Sequence, residues 1–289
     1  MGQGRIVAAA PALFVVLWAS GFVVAREGVS YADPLTLVAI RFSIACVLLL
    51  ALAVVTRARW PTRREALHSA VVGLFLQAAY VCCVFIALDQ GLAAVVTALV
   101  VGLQPLLSAC VVGPLLNERV RPMQWAGLVI GLAGVALVVA RGVEFGSGTE
   151  LGLLLAVVAL VGITAGTVYQ RRFCRAIDLR TGTACSFASA TVVSIFLAFA
   201  IEPMHVRWTW QLFASLAWMS AVLSVGTILL LFWLLRRMEV TRVTSLFYLV
   251  PPVAALMAWL WFGETISWVM AGGIALAATG VTLVQKGAG

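Results

Sequence analysis

The chain carries ten apolar runs, each close to the roughly 20 residues that an α-helix needs to cross the hydrocarbon of a bilayer. They occupy about residues 7–25, 34–55, 67–88, 92–116, 122–141, 151–169, 182–201, 209–235, 240–262 and 267–285. Proline, glycine and charged residues separate them, as at Asp33-Pro34, Asn117-Glu118-Arg119 and Gly146-Ser147-Gly148, where helices break or cap. No connector has the length of a soluble domain. With 63% of 289 residues hydrophobic and 10% charged, polar surface is too scarce to cover a soluble globule. Lipid is therefore the expected solvent, and the expected fold is an all-α integral membrane protein with ten transmembrane helices. The first run has the length of a span rather than of a secretory h-region, so it is expected to be retained.

A net charge of +8 could point to nucleic acid, but the basic residues sit in short connectors and form no stripe or patch, so no nucleic-acid partner is expected. Their placement instead sets orientation, because cytoplasmic connectors keep positive charge during insertion. With the N-terminus inside, only Arg26, Arg141 and Arg207 of the 19 Lys and Arg fall on the outer side, and Arg41 lies within a helix. Both termini are expected in the cytoplasm. The six cysteines have no C-x-x-C spacing and mostly lie in apolar runs, so neither a metal site nor a disulfide framework is expected.

Sliding the sequence by 146 positions aligns Pro105 with Pro251, Glu118 with Glu264, Gly127 with Gly273 and Gly134 with Gly280, without a gap. That register reads as an internal duplication, with units at 1–142 and 143–289. Five helices per unit is an odd number, so the second copy enters the membrane upside down. Two inverted repeats around a central cavity are a transporter design, because similar halves can exchange conformations to open one site to either side.

The motifs resemble the drug/metabolite transporter superfamily, and within it the EamA family of ten-helix carriers. In the first half the resemblance rests on Leu17-Trp18-Ala19-Ser20-Gly21-Phe22, on Arg41-Phe42, and on Gln104-Pro105 through Asn117-Glu118-Arg119 to Gly127 and Gly134. The second half repeats it with Tyr248-Leu249-Val250-Pro251, Gly263-Glu264, Gly273 and Gly280-Val281. The resemblance implies a basket of helices whose cavity is lined by the third, fourth, eighth and ninth, helped by the first and sixth, with the fifth and tenth outside. Length and the aromatic and polar residues of the cavity are similar to the YddG-like bacterial amino-acid exporters, which implies the bacterial cytoplasmic (inner) membrane.

Pro105 and Pro251 fall near the middle of the fourth and ninth helices, where each removes a backbone donor and frees a carbonyl. They read as hinges or solute sites, or as plain kinks satisfied by neighbouring helices. Gln77 and Tyr80, Ser224 and Thr227, and Ser245 and Tyr248 are pairs three residues apart, which share a face on an α-helix, and Gln104 adjoins Pro105. These groups line a cavity or merely bond neighbouring helices. Tyr80 aligns with Gly226 and Tyr248 with Gly102, which leaves room for a solute or a notch for a ring. Trp18, beside Ser20 in mid-helix, supplies an aromatic wall. Arg41 lies about 10 Å inside the second helix at 1.5 Å per residue, as a snorkelling anchor or as the partner of a solute carboxylate. Glu118 and Glu264, at equivalent helix ends, read as caps or gates. The glycine rows around Gly127 and Gly280 read as packing surfaces, within the chain or between protomers of a homodimer.

No Asp, Glu, Lys or His falls in the middle of any run, so there is no proton carrier for antiport. The two histidines, His68 and His205, lie at a helix start and in a connector, which leaves no catalytic constellation for a membrane-embedded enzyme. A neutral, aromatic cavity with one arginine suits a zwitterion. The expected function is export of amino acids, aromatic ones included, by uncoupled alternating access without a cofactor. Efflux of drugs or other metabolites and a passive channel remain the alternatives.

Overall fold

In a computed structural model of the chain, residues 2–90, 92, 97, 100–139, 150–262 and 268–287 are described. Arg141, the 146–148 connector, Gly263 and Glu264 lie outside them, as does most of 91–99. The described residues are nearly all helical and contain no strand, only an isolated bridge between Ala32 and Val206.

The helices follow in order as α1 (Gly2–Gly28), α2 (Pro34–Val55), α3 (63–89), α4 (Gln104–Leu116), α5 (Pro122–Val139), α6 (Glu150–Phe173), α7 (Leu179–Ile201), α8 (210–237), α9 (240–262) and α10 (Trp268–Lys286). Local chemistry sets their ends. Pro34 opens α2 at a position where a missing N–H costs nothing. Thr62 and Glu65 form a reciprocal capping box on α3, Asp178 and Thr209 cap α7 and α8, and Asn117, left-handed at φ 56°, closes α4. Among the described residues six helices are long and apolar enough to cross a membrane, one of them Pro34–Val55 with mean hydropathy 2.7 over its best window. Their outer surface is greasy: α2 exposes Val47 and Val54, and α7 exposes Val192, Phe196 and Phe199. A soluble monomer does not carry such patches, whereas lipid covers them. Trp60, Trp208, Trp210 and Trp268 stand exposed at or beside helix ends, as an interfacial belt requires.

Three of the rods are not uniform. The middle of α3 (Gly73–Cys82) and the middle of α8 (Trp218–Thr227) are π-helical, and α9 passes through a 3₁₀ turn at Leu246–Leu249 before its long α-helical part (Val250–Phe262). Stretches of π-helix are rare and cluster at functional sites. Here the two segments occupy positions related by the 146-residue shift, to within one residue. α4 likewise starts after a turn at 102–103, the counterpart of the 3₁₀ turn in α9. Pro105 and Pro251 thus each sit in the first turn of a helix resumed after a break.

Packing joins the two halves throughout. α2 lies on α7, α5 on α10, α1 on α8 and α9, α6 on α3 and α4, and the start of α9 on α4. Exchanging α1 for α6, α2 for α7 and so on maps these pairings onto one another. Gly127, Gly131, Gly134 and Gly280 serve this packing within the chain. A Cβ on Gly127 would meet the Gly280 carbonyl at 2.6 Å, and one on Gly134 would collide with Ala277 and Gly273. Only bare backbone lets α5 and α10 approach so closely.

Candidate functional site

Arg41 is the deepest cation in the described spans, and its surroundings define the site. It follows a run of buried residues, Leu35 to Ala39, that holds α2 against its neighbours. Its Nε donates to Ser224 Oγ at 2.8 Å, and the Ser220 hydroxyl donates to the Arg41 carbonyl at 3.2 Å. Both serines belong to the π-helical part of α8, so this unusual winding is what faces the arginine. The Tyr80 phenol, from the π-helical part of α3, lies within electrostatic range of the guanidinium. Among the described residues no carboxylate pairs with Arg41, and the hydrogen bond of its guanidinium goes to Ser224. The two Nη groups, the fork that fits a carboxylate, have no acceptor among the described residues.

An aromatic and hydroxyl group occupies the facing part of α1. Trp18 packs between Phe14 and Phe247 with ring centroids 5.3 and 4.9 Å away. Ser20 donates to the Leu17 carbonyl at 2.7 Å and accepts from the Trp218 indole N–H at 3.0 Å. α1 is thereby tied to the start of the π segment in α8.

The remaining sequence-derived residues go elsewhere. Gln77 is buried and donates to Ser186 of α7 at 3.4 Å, a contact that does not involve Tyr80. The reason is the winding: an i→i+5 helix turns residues three apart away from a common face. Thr227 donates to its own backbone, the Val222 carbonyl, at 2.9 Å. Ser245 donates to the Arg242 carbonyl at 2.9 Å and accepts from Gln285 of α10, a packing contact beside the last turns of that helix. Tyr248 is fully buried, with its ring 2.5 Å from where a Gly131 Cβ would stand. It fills a notch in α5 and does not line open space. Gln104 and Ser108, one turn apart on α4, are buried, and neither has a hydrogen-bond partner among the described residues. Two surface grooves, one between α3, α4 and α6 and one between α2, α7 and the 204–208 connector, contain none of the expected site residues.

Each end of the bundle is fastened between halves. At one end the Glu202 carboxylate caps α2 through Leu35 N at 2.7 Å and Thr36 N at 2.8 Å, and Asp33 N donates to the His205 carbonyl at 3.1 Å. At the other, Glu118 accepts from Val240 N at 3.0 Å and pairs with Arg171 at 3.5 Å. Burial raises the Glu118 carboxyl above its ordinary value, against the lowering effect of those two partners. Its role is that of a cap and clasp. Glu202, Ser220 and Trp218 were not among the sequence-derived site residues. Ser220 precedes Ser224 by one helical turn, the single pattern that could have drawn attention to it.

The model of the EamA-like transporter family matches the chain twice, at residues 6–140 and 150–285. The uncharacterized inner membrane transporter YedA of Escherichia coli strain K12 is 30% identical over 271 residues, covering 93% of this chain and 88% of that one. A probable terminal-alkyne amino-acid exporter of Streptantibioticus cattleyicolor is 26% identical over 280 residues, covering 95% and 91%. A protein crystal structure at 22% identity superposes with a TM-score of 0.82 over 96% of both chains, which concerns the fold alone. This is a membrane transporter and not an enzyme. The chain belongs to the EamA-like transporter family, and through it to the drug/metabolite transporter superfamily.

Proposed function

We propose that the protein exports amino acids, aromatic ones included, across the bacterial cytoplasmic membrane by uncoupled alternating access. The observation that carries this reading is the Arg41 guanidinium. It is held through Nε by Ser224 and has no carboxylate partner among the described residues, so its fork is available to a solute carboxylate. Tyr80 supplies a ring and a hydroxyl beside it. Trp18, with Phe14 and Phe247, supplies an apolar wall across α1 and α9 for a side chain.

In this reading the halves are inverted repeats, the ten helices are ten crossings, and both termini are cytoplasmic. The half-exchanging contact pattern and the paired family matches support the repeat, and the arginine-rich connectors support the orientation. Breaks before Pro105 and Pro251 and the two π segments are the flexing elements. Glu202 with Leu35, and Glu118 with Val240, are the contacts that open alternately at the two ends. The exporter of Streptantibioticus cattleyicolor is a relative whose name carries an amino-acid substrate.

The test is flux in proteoliposomes with a panel of amino acids set against their decarboxylated amines and their amides. Amino acids should move and the carboxylate-free analogues should not, and Arg41→Gln should abolish the difference. Equal flux of amines and amino acids, unaffected by Arg41→Gln, would contradict the reading.

A further inference from the structure

An open groove of about 630 Å³ runs between α4 and α6, lined as well by Phe75 of α3. Its volume falls within the range of ligand sites, roughly 300–1,000 Å³, and none of Arg41, Ser224, Tyr80 and Trp18 lines it. Two helical stripes build it. Leu107, Val111 and Leu115 recur every fourth residue along α4, and Val161, Ala165 and Val168 lead along α6 to Arg172. Leu115, Val161 and Phe173 are exposed, so the groove is open along the greasy outside of the bundle.

Length and charge identify the occupant. From Val161 to Arg172 the groove wall rises about 16 Å at 1.5 Å per residue, close to half of the roughly 30 Å hydrocarbon core. One acyl chain of one leaflet has that reach. At the end stands Arg172, which donates to the Leu115 carbonyl and lies over the Phe173 ring at 5.4 Å. A guanidinium carries five N–H donors, so most of its donors remain after that bond. Among the described residues no carboxylate forms an ion pair with Arg172, while Glu118 is engaged by Arg171 and Val240 N. Basic groups at the end of an apolar cleft between helices bind anionic lipid head groups. Tyr169 at the same end is held by His68, with its hydroxyl 2.7 Å from Nδ1, which gives the mouth a fixed aromatic rim at interfacial depth.

We infer that this groove is a binding site for a single anionic phospholipid, with one acyl chain along α4 and α6 and the phosphate on Arg172. The lipid wedges the side of the bundle where α4 of the first half meets α6 of the second. It is distinct from the solute site, and neither depends on the other.

The probe is phosphatidylglycerol carrying a diazirine in its acyl chain, with diazirine phosphatidylethanolamine as the zwitterionic control, in vesicles of these two lipids. Photolysis of the wild-type protein should label residues within 107–115 and 161–172, at least fivefold more with phosphatidylglycerol. Arg172→Gln should bring the two lipids to equal yield. Ala165→Phe should clear the label from the groove while leaving flux of the transported solute measurable, which shows the variant to be folded. Label spread evenly over the outer surface, equal labelling by both lipids in the wild type, or displacement of the lipid by transported solute would each overturn the inference, the last by assigning the groove to the solute.

Discussion

Arg41 Nε meets Ser224 Oγ at 2.8 Å, so the one arginine placed deep in a described span reaches from α2 of the first half to the π-helical middle of α8 in the second. A rigid guanidinium fixed by one edge presents the opposite edge in a defined direction, which is the arrangement a carboxylate fork requires.

Replacing Arg41 should therefore hurt more through geometry than through charge alone. Arg41→Lys keeps the cation but loses the fork, and Ser224→Ala keeps the fork but frees its anchor. A hydrogen bond to a charged group contributes about 1.5–3 kcal/mol, so amino-acid affinity should fall roughly tenfold or more in Arg41→Lys and by a smaller factor in Ser224→Ala. Saturation curves of flux in vesicles check both.

Crowding between α5 and α10 gives a stability contrast. A methyl on Gly134 collides with the backbone of Ala277, whereas one on Gly272 meets nothing within 4 Å. Gly134→Ala should destabilise by about 1–3 kcal/mol, the usual cost of overpacking, and Gly272→Ala should be neutral or slightly stabilising. Thermal melts of the purified variants in detergent separate the two.

Glu118 makes stability depend on pH. Its carboxyl is raised above 4.5 in the folded protein, chiefly by burial, so between the unfolded and folded values the folded state holds more protons than the unfolded state. Its contribution to stability accordingly falls as pH rises through that window and is greatest below it. Melting should shift upward on acidification by about 2 °C or less from this group, and Glu118→Gln should remove that part of the pH dependence.

If the helix breaks flex during transport, their stiffening should slow turnover without weakening binding. Pro105→Ala lets α4 continue through the turn at 102–103. Maximal flux should drop several-fold while half-saturation changes little, and Pro251→Ala should behave alike. A rise in half-saturation with unchanged maximal flux would place the prolines in the binding site instead.

Helices were readable wherever apolar length and a break coincide, as at Asp33-Pro34, whereas the third run was read from 67 and the helix starts at Arg63 behind the Thr62 cap. The cross-half contacts of Arg41 were not readable, because periodicity tells which residues share a face and not which neighbour covers it. Gln77 shows a sharper limit. Three-residue spacing placed it with Tyr80, but the segment winds as a π-helix and sends it to Ser186. Nothing in the sequence of Gly73 to Cys82 distinguishes that winding from an ordinary helix, and the close approach of α6 and α7 at Gly162, Gly166 and Gly73 involves residues distant in the chain. Tyr248 was legible as a ring needing a glycine, yet the glycine is Gly131 on α5 and not its repeat-equivalent position.

Counterflow tests the central claim most directly. Vesicles preloaded with an unlabelled amino acid and placed in a dilute labelled pool should accumulate label transiently, with saturation. The overshoot should be the same with and without a proton ionophore. Simple equilibration without an overshoot would mean a pore, and loss of the overshoot on adding the ionophore would mean proton coupling that no carboxylate in the middle of an apolar run is there to perform.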